Sequence, residues 1–522
     1  MKPRLKPVQK NGVKRPKKIK TENSRAGALK KLFIALLVFA QLMLLIYLHL
    51  SFVTASAWLF GANILMSLLT SIYVLSTNKN GLSKAVWIMF LLVCFPFSSL
   101  IYWLSDERAF FYKARKSYRA VFDATERYGV QNELLSIEND TVKNDCRYLY
   151  SVGRFNAYSN SSVKYFPSGE LFFDDVIEEL QKASKFIFIE FFILADGILF
   201  DRIFEILKNK VKDGVDVRVI YDDLGSKGTL SIRAKKKLNR AGIKVFVFNK
   251  IFPFSLAKMN YRDHRKIISI DGKVAYTGGC NLADEYANCK KMNGYWKDAC
   301  VTVNGNAVDG FTLFFLRQWE FCSKKKEDYS VFLNLFTPVD SDCAVIPYAD
   351  GLDYLQAVGR GVYERIISGA KDFLYIMTPY FVIDDGLSEL LINQALSGVD
   401  VRIILPDIPD KTYVYSVSRN NAEKLVDYGV KVYTLSGAFV HSKVVMSENC
   451  ASVGSVNMDL RSFYQQFECG VYSNDSDFLA QVKSDFDDCF VKGKLITEKD
   501  RHRNNIFNRI KAGAMQVFAP FM

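Results

Sequence analysis

The sequence predicts an α/β protein with two similar lobes, each a mainly parallel sheet flanked by helices, preceded by N-terminal transmembrane helices. The lobes are predicted by an internal repeat, since a Gly-Val-Asp-Val-Arg block begins at Gly214 and again at Gly398. In both copies, short β-branched and aromatic runs alternate with amphipathic helical stretches, which is typical of strands covered by helices. Three uncharged apolar runs before residue 105 predict the membrane segment.

The positive charge is concentrated at the N-terminus. The 522 residues carry a net charge of +14, and residues 1–31 hold twelve Lys/Arg and one acid, which is +11. The remaining 491 residues therefore carry only 14 − 11 = +3. The leader has few large apolar residues and should be disordered. A nearly neutral body argues against a nucleic-acid partner, which would require clustered basic residues.

Residues 32–106 form the predicted membrane segment, which gives a multi-pass protein of the cell membrane. The runs 32–50 and 57–75 each have the length of about 20 residues that a spanning helix needs. The third run, 85–104, contains Pro96 and either spans the bilayer or forms a re-entrant segment. The basic leader places the N-terminus in the cytoplasm. A third full span would put the body outside, whereas the cations at 108–119 favour a cytoplasmic body, so both alternatives stay open.

The rest of the chain is predicted to contain a linker, two lobes and a tail. These are the linker 107–150, the first lobe 151–335, the second lobe 336–495 and an amphipathic C-terminal tail 496–522. Two similar lobes should pack around a pseudo-twofold axis. A site on that axis would take one set of residues from each lobe.

Two of the four histidines occupy matching positions in the repeat. Each begins the pattern His-x-Lys, followed after four residues by an acid. The two sets are His264, Lys266 and Asp271 in the first lobe, and His441, Lys443 and Glu448 in the second. The stretches after the lysines are strand-like, and residues i and i+2 of a strand share a face. We count the acids with the catalytic motif, although the Asp271-Gly272 hairpin leaves a turn and scaffold role open.

A loop of small residues ending in asparagine follows each hairpin. The first loop contains Gly279 and Asn281, and the second contains Ser455 and Asn457. Small residues let backbone and amide donors approach an anion closely. Two histidines, two lysines and two asparagines meeting on an axis predict a phosphate site. One imidazole would attack phosphorus while the other protonates the leaving alkoxide.

This arrangement resembles the phospholipase D superfamily, whose signature is a duplicated His-x-Lys-x4-Asp motif, and within it the bacterial cardiolipin synthases. The resemblance covers nearly the whole chain, including NLADEY (281–286), YWKD (295–298) and NMDLRSF (457–463). It implies a phosphohistidine intermediate with no metal or cofactor, with His264 as nucleophile and His441 as general acid/base. It also implies a carboxylate against the far nitrogen of each histidine, and Asp298 and Glu468 match those positions.

The implied function is phosphatidyl transfer from one phosphatidylglycerol to another at the lipid bilayer, giving cardiolipin and glycerol. A related transferase such as a phosphatidylserine synthase, a hydrolytic phospholipase D or nuclease, and a non-enzymatic membrane scaffold are the alternatives. Two departures from the family pattern put the second hairpin's geometry in doubt. Glu448 replaces the expected Asp, and the second loop is one residue shorter. The sequence leaves the oligomeric state undetermined.

Overall fold

The computed structural model describes residues 57–500, apart from 78, 95–97, 106, 130–136, 252–259, 291, 293, 353 and 355, with a few isolated positions nearer the ends. The described chain forms two compact units, Met1–Trp103 and Leu104–Met522. The predicted disordered leader, nearly all of the first apolar run and most of the C-terminal tail lie outside the described residues.

The first unit contains a helical hairpin. Helix α1 is Ala57–Ser76 and α2 is Gly81–Val93. Asn80 caps α2, because its side chain accepts a hydrogen bond from the backbone of Ser83 at 2.7 Å. The third apolar run is divided between α2 and α3 (Ser98–Ser105), and Pro96 falls in the undescribed stretch between them. Within the part of the chain that the structure describes, no helix combines the length and apolarity of a membrane span.

The second unit contains the other helices and all the described strands. The stretch predicted as a linker contributes α4 (Glu107–Thr125) and α5 (Asp140–Gly153), and Tyr118 and Cys146 on these helices join the buried cores. The remaining helices are α6 (Gly169–Lys182), α7 (Ile198–Lys212), α8 (Ile232–Arg240), α9 (Val308–Ser323), α10 (Val358–Gly369), α11 (Asp385–Leu396), α12 (Thr412–Leu425), α13 (Leu460–Gln465) and α14 (Ser476–Lys492).

The first lobe is built on a seven-stranded sheet with the order β1-β9-β7-β6-β2-β3-β4. Its strands are β1 (Ser161–Phe166), β2 (Phe186–Phe191), β3 (Asp216–Asp222), β4 (Lys244–Phe248), β6 (Lys266–Ile270), β7 (Val274–Gly278) and β9 (Cys300–Gly305). Only β2, β3 and β4, which are joined through helices, pair in parallel. The other four pairings are antiparallel.

The second lobe repeats this plan in an eight-stranded sheet with the order β10-β20-β17-β16-β11-β13-β14-β21. Its strands are β10 (Val345–Ala349), β11 (Phe373–Met377), β13 (Asp400–Pro406), β14 (Lys431–Leu435), β16 (Val444–Ser447), β17 (Ala451–Gly454), β20 (Cys469–Ser473) and β21 (Gly493–Leu495). The parallel pairings are again confined to three strands, β11, β13 and β14.

The prediction of mainly parallel sheets is therefore wrong, while the mixed α/β class with two similar lobes is confirmed. Strands joined by a tight hairpin must run antiparallel, and each lobe inserts such a hairpin beside its helix-linked strands. In the first lobe the turn uses Asp271 (φ 55°) and Gly272 (φ 66°), the left-handed pair that a type I′ turn requires.

Two short ribbons connect the lobes. In one, β5 (Arg262–Asp263) of the first lobe pairs in parallel with β19 (Gln466–Phe467) of the second. In the other, β8 (Tyr295–Lys297) of the first lobe pairs in parallel with β15 (Ala438–Val440) of the second. A further small ribbon joins β12 (Phe381–Val382) to β18 (Met458–Asp459). The first two ribbons are equivalent by the repeat, and each carries one motif histidine at its end.

Candidate active site

Both motif histidines follow directly on a connecting strand. His264 follows β5 and donates its backbone N–H to Phe467 at 2.9 Å, while His441 follows β15 and donates to Lys297 at 2.7 Å. Both side chains are buried, with the residues 7% and 6% exposed. The connecting ribbons therefore hold each histidine against the other lobe, as a site on the repeat axis requires.

Each histidine is paired with a carboxylate from the opposite lobe. His264 Nδ1 lies 2.9 Å from both carboxylate oxygens of Glu468, and His441 Nδ1 lies 2.7 Å from Asp298 Oδ2. A carboxylate at Nδ1 keeps the proton on that nitrogen and leaves the Nε2 lone pair available. The predicted pairing residues are thus brought to the histidines, and the pairs cross between lobes.

The two carboxylates have different surroundings. Glu468 also accepts hydrogen bonds from the hydroxyls of Ser455 and Ser462. Gln466 is oriented so that its amide oxygen accepts a hydrogen bond from Arg461 and its amide nitrogen donates to Glu468 Oε1 at 3.0 Å. Asp298 accepts a hydrogen bond from the backbone N–H of Ala299 at 2.8 Å. Burial raises the pKa of Glu468 to about 7, against the opposing effect of Lys266 and the two serines.

Both imidazoles are held neutral. Burial, followed by the charges of Lys266 and Lys443, places the pKa of His264 well below its usual value. Burial and Lys443 lower the pKa of His441 to about 4, against the opposing effect of Asp298. Both lysines act on both histidines, so the structure gathers the two motifs into one site. Neutral imidazoles with a fixed tautomer are suited to attack phosphorus or to accept a proton.

The two lysines supply the site's positive charge. Lys266 Nζ donates to the backbone oxygen of His264 at 2.5 Å, and Lys443 makes the equivalent contact with His441. Lys443 Nζ also lies 2.9 Å from His441 Nδ1. Burial lowers the pKa of Lys266 to about 7 and that of Lys443 to about 8. These are the groups best placed to hold phosphoryl oxygens.

Anion binding should weaken as the pH rises through about 7 to 8. An ammonium is charged below its pKa, so Lys266 and then Lys443 lose their charge over this range. Sulfate does not titrate there, and we expect its affinity, measured calorimetrically between pH 6 and 9, to fall about tenfold. Lys266→Met and Lys443→Met should each bind sulfate more weakly and with a shallower pH dependence. An affinity that is constant in the native protein across this range would contradict the assignment.

The motif acids lie in the hairpin turns and contact the backbone at the start of a central strand. Asp271 accepts hydrogen bonds of 2.7–2.9 Å from the backbone of Ser184, Lys185 and Phe186, and from the Ser184 hydroxyl. These hydrogen bonds outweigh burial and hold the pKa of Asp271 below its usual value. Glu448 makes the matching contacts, accepting hydrogen bonds from the backbone N–H groups of residues 371–373. Both acids therefore anchor their hairpins to β2 and β11, and these contacts support the scaffold role for them.

The two small-residue loops make hydrogen bonds within the protein. Asn281 accepts from the backbone of Ile193 at 3.0 Å and donates to the Tyr286 hydroxyl at 2.8 Å. A Cβ on Gly279 would lie 2.0 Å from Asp298 Oδ1, so only glycine leaves room for that carboxylate. Ser455 supports Glu468 rather than facing an anion. Asn457 differs from the other three, because its Oδ1 is buried and accepts no hydrogen bond from the described residues.

Sequence reasoning missed Ser462 and Gln466. Both contact Glu468, and Ser462 lies within the family-like stretch 457–463, while Gln466 lies just after it. Their types differ from those at the matching first-lobe positions, Tyr286 and Trp296, so a search for shared residues passes over them. Among the described residues there is no group of three His, Cys, Asp or Glu side chains placed to hold a metal ion.

Comparisons with known proteins agree with this geometry. A family model described as "Cardiolipin synthase, PLD-like domain" matches residues 176–298 and 363–490. An uncharacterised protein of Streptococcus mutans is 37% identical over 86% of this chain and 99% of its own length. The cardiolipin synthase of Oceanobacillus iheyensis is 30% identical, covering 85% of this chain and 95% of its own. Cardiolipin synthase 2 of Bacillus cereus is 32% identical over 80% of each chain.

The fold is also found among solved structures. The phosphatidylserine synthase of Haemophilus influenzae superposes with a TM-score of 0.55 at 15% identity, covering 73% of this chain and 98% of that one. At this level of identity the likeness concerns the arrangement of the two lobes.

Proposed function

The chain belongs to the family of phospholipase D-like cardiolipin synthases, and from this premise we propose that it transfers a phosphatidyl group from one phosphatidylglycerol to a second, giving cardiolipin and glycerol. The observation that carries the proposal is the pair of neutral histidines with crossed carboxylates and two buried lysines. It provides a nucleophile, an acid/base and positive charge for one phosphodiester.

In the first step, Nε2 of His264 attacks the phosphorus of phosphatidylglycerol. The phosphorus–oxygen bond to the head-group glycerol breaks, and His441 gives that oxygen its proton as glycerol leaves. His441 is neutral in the free protein, so it takes up a proton at Nε2 when the anionic phosphodiester binds beside it, and Asp298 stabilises the resulting imidazolium. Lys266 and Lys443 stabilise the negative charge that grows on the phosphoryl oxygens. The product is a phosphatidyl group bonded to His264.

In the second step, a hydroxyl of another phosphatidylglycerol attacks the same phosphorus. His441, now neutral, takes the proton of that hydroxyl, and the bond from phosphorus to His264 Nε2 breaks. Throughout both steps, Glu468 accepts a hydrogen bond from the Nδ1–H group of His264. It also stabilises the positive charge of the phosphorylated His264 imidazole. Cardiolipin is released, and both histidines return to their starting states.

The lipid substrates and the apolar N-terminal runs support a reaction at a membrane. We propose that the chain is anchored in the cell membrane by these runs, with its catalytic body on the cytoplasmic side. Twelve large apolar side chains are exposed on the described part of 61–103, which supports burial in lipid. They are Ile64, Leu65, Met66, Leu68, Leu69, Ile72, Leu75, Met89, Leu92, Val93, Leu100 and Trp103. Protease cleavage of the body in sealed inverted vesicles, with protection in right-side-out vesicles, is the expected result.

The function is tested with purified protein and radiolabelled phosphatidylglycerol as the only lipid. We expect cardiolipin and glycerol in equal amounts. Phosphatidic acid as the main product would instead establish a hydrolase. Adding serine provides a second comparison, because formation of phosphatidylserine in preference to cardiolipin would establish a different transferase.

A further inference from the structure

The two motif histidines lie in chemically different surroundings. Three aromatic rings surround His441, which we call the aromatic collar: Tyr286, Trp296 and Phe439, with centroids 5.2, 5.6 and 5.8 Å from the imidazole. The rings also contact one another, Trp296 with Phe439 at 4.7 Å and Tyr286 with Trp296 at 4.9 Å. Around His264 a single aromatic ring, Phe192 at 4.9 Å, is recorded among the described residues.

The repeat places a polar residue at each equivalent position near His264. Phe439 lies two residues before His441, and Arg262 lies two before His264. Trp296 lies two before Asp298 and corresponds to Gln466, two before Glu468. Tyr286, five residues after Asn281, corresponds to Ser462, five after Asn457. All three collar positions are therefore aromatic where the equivalent positions near His264 are polar.

The fold does not require this difference. The ribbon β5–β19 has Arg262 opposite Gln466, and the equivalent ribbon β15–β8 has Phe439 opposite Trp296 in the same register. The same ribbon backbone accommodates polar residues in one copy, where Arg262 pairs with Asp222, so the backbone alone does not call for rings beside His441. One polar group of the collar lacks a hydrogen-bond partner. The Nε1–H group of Trp296 is buried and has no acceptor among the described residues. An indole N–H in this position can donate to a lipid head-group oxygen.

We propose that the aromatic collar forms the alcohol site of the reaction, where head-group glycerol leaves and the acceptor's hydroxyl enters, and that it excludes water from His441. This inference rests on the proposed function, in which His441 gives a proton to one alcohol and takes it from the next. Aromatic faces pack against the C–H groups of a glycerol moiety and leave little room for a mobile water. Water reaching His441 would resolve the phosphorylated His264 to phosphatidic acid, with its proton passing to His441. The collar thus determines the ratio of transfer to hydrolysis.

The test compares products from labelled phosphatidylglycerol in native protein, Trp296→Ala and Phe439→Leu. We expect the ratio of phosphatidic acid to cardiolipin to rise about three- to tenfold in both variants, the effect of removing one aromatic contact. Phosphorylated enzyme trapped by acid quench should fall less than cardiolipin formation does, because the loss of a ring opens a route to hydrolysis after the phosphorylated enzyme has formed. Tyr428→Ala removes an exposed aromatic ring elsewhere and should leave the ratio unchanged.

The outcomes separate this inference from the function beneath it. If the native protein makes phosphatidic acid alone, the proposed function fails. If the native protein makes cardiolipin and both folded variants keep the native product ratio, the collar inference fails. If the amount of trapped phosphorylated enzyme falls in parallel with cardiolipin, the rings orient His441 rather than exclude water. That result would also overturn the collar inference. If the Ala variant does not fold, as judged by its thermal melting, Trp296→Phe paired with Phe439→Leu provides the same comparison.

Discussion

His264→Ala should abolish both cardiolipin formation and the phosphorylated enzyme. The proposed covalent bond forms at His264 Nε2, and no other group at the site combines a neutral imidazole with the Glu468 pairing. The loss of a covalent nucleophile should lower turnover by on the order of 10⁴-fold. The measurement is acid-quenched enzyme after incubation with phosphatidylglycerol labelled in phosphorus, alongside product analysis.

The matched control for this variant is His502→Ala, which removes a histidine outside both motifs. It should retain native labelling and native cardiolipin formation. His441→Ala should also lose turnover, but it keeps the nucleophile and should accumulate a trace of labelled enzyme over long incubation. If His264→Ala still traps phosphate while His441→Ala traps none, the nucleophile is His441 and the roles are reversed.

The repeat and the motif residues were predictable because their signals are local. His264 and His441 stand out in a chain with four histidines, and the matching lysine spacing identifies the pair. Sheet direction is less visible, since a buried strand has the same composition in either direction. The Asp271-Gly272 turn is recognisable in the sequence, however, and a tight turn of this kind implies antiparallel pairing of the strands it joins, β6 and β7.

The crossed pairing could not be deduced from sequence position. Glu468 lies 204 residues from His264, and Asp298 lies 143 residues from His441. Either carboxylate could have served the histidine of its own lobe, and nothing in the local pattern distinguishes the two arrangements. The connecting ribbons decide it, because β19 ends beside His264 and β8 ends beside His441. The replacement of Asp by Glu448 is explained by the same structure, since the longer side chain still reaches the backbone of residues 371–373.

Crossed pairing predicts that the two carboxylates act on different steps. Glu468→Gln should impair the nucleophile His264, and Asp298→Asn should impair the acid/base His441, each by on the order of 10²- to 10⁴-fold. The steps can be separated with the p-nitrophenyl ester of phosphatidic acid, because nitrophenolate leaves without a proton from His441. Asp298→Asn should then give a full burst of nitrophenolate followed by slow turnover. Glu468→Gln should lose the burst.

The pH dependence of the burst gives a second readout. Because the pKa of Glu468 is about 7, its carboxylate becomes protonated as the pH falls through that value, and the native burst rate should decline there. The amide of the Glu468→Gln variant cannot titrate. Its small residual burst rate should therefore show no decline as the pH falls through about 7. Glu468→Asp and Asp298→Glu keep the charge and should recover part of the activity, while thermal melting reports any loss of folding. The carboxylate that matters for attack is the one paired with the attacking imidazole. A burst that survives Glu468→Gln and disappears in Asp298→Asn would therefore identify His441 as the nucleophile.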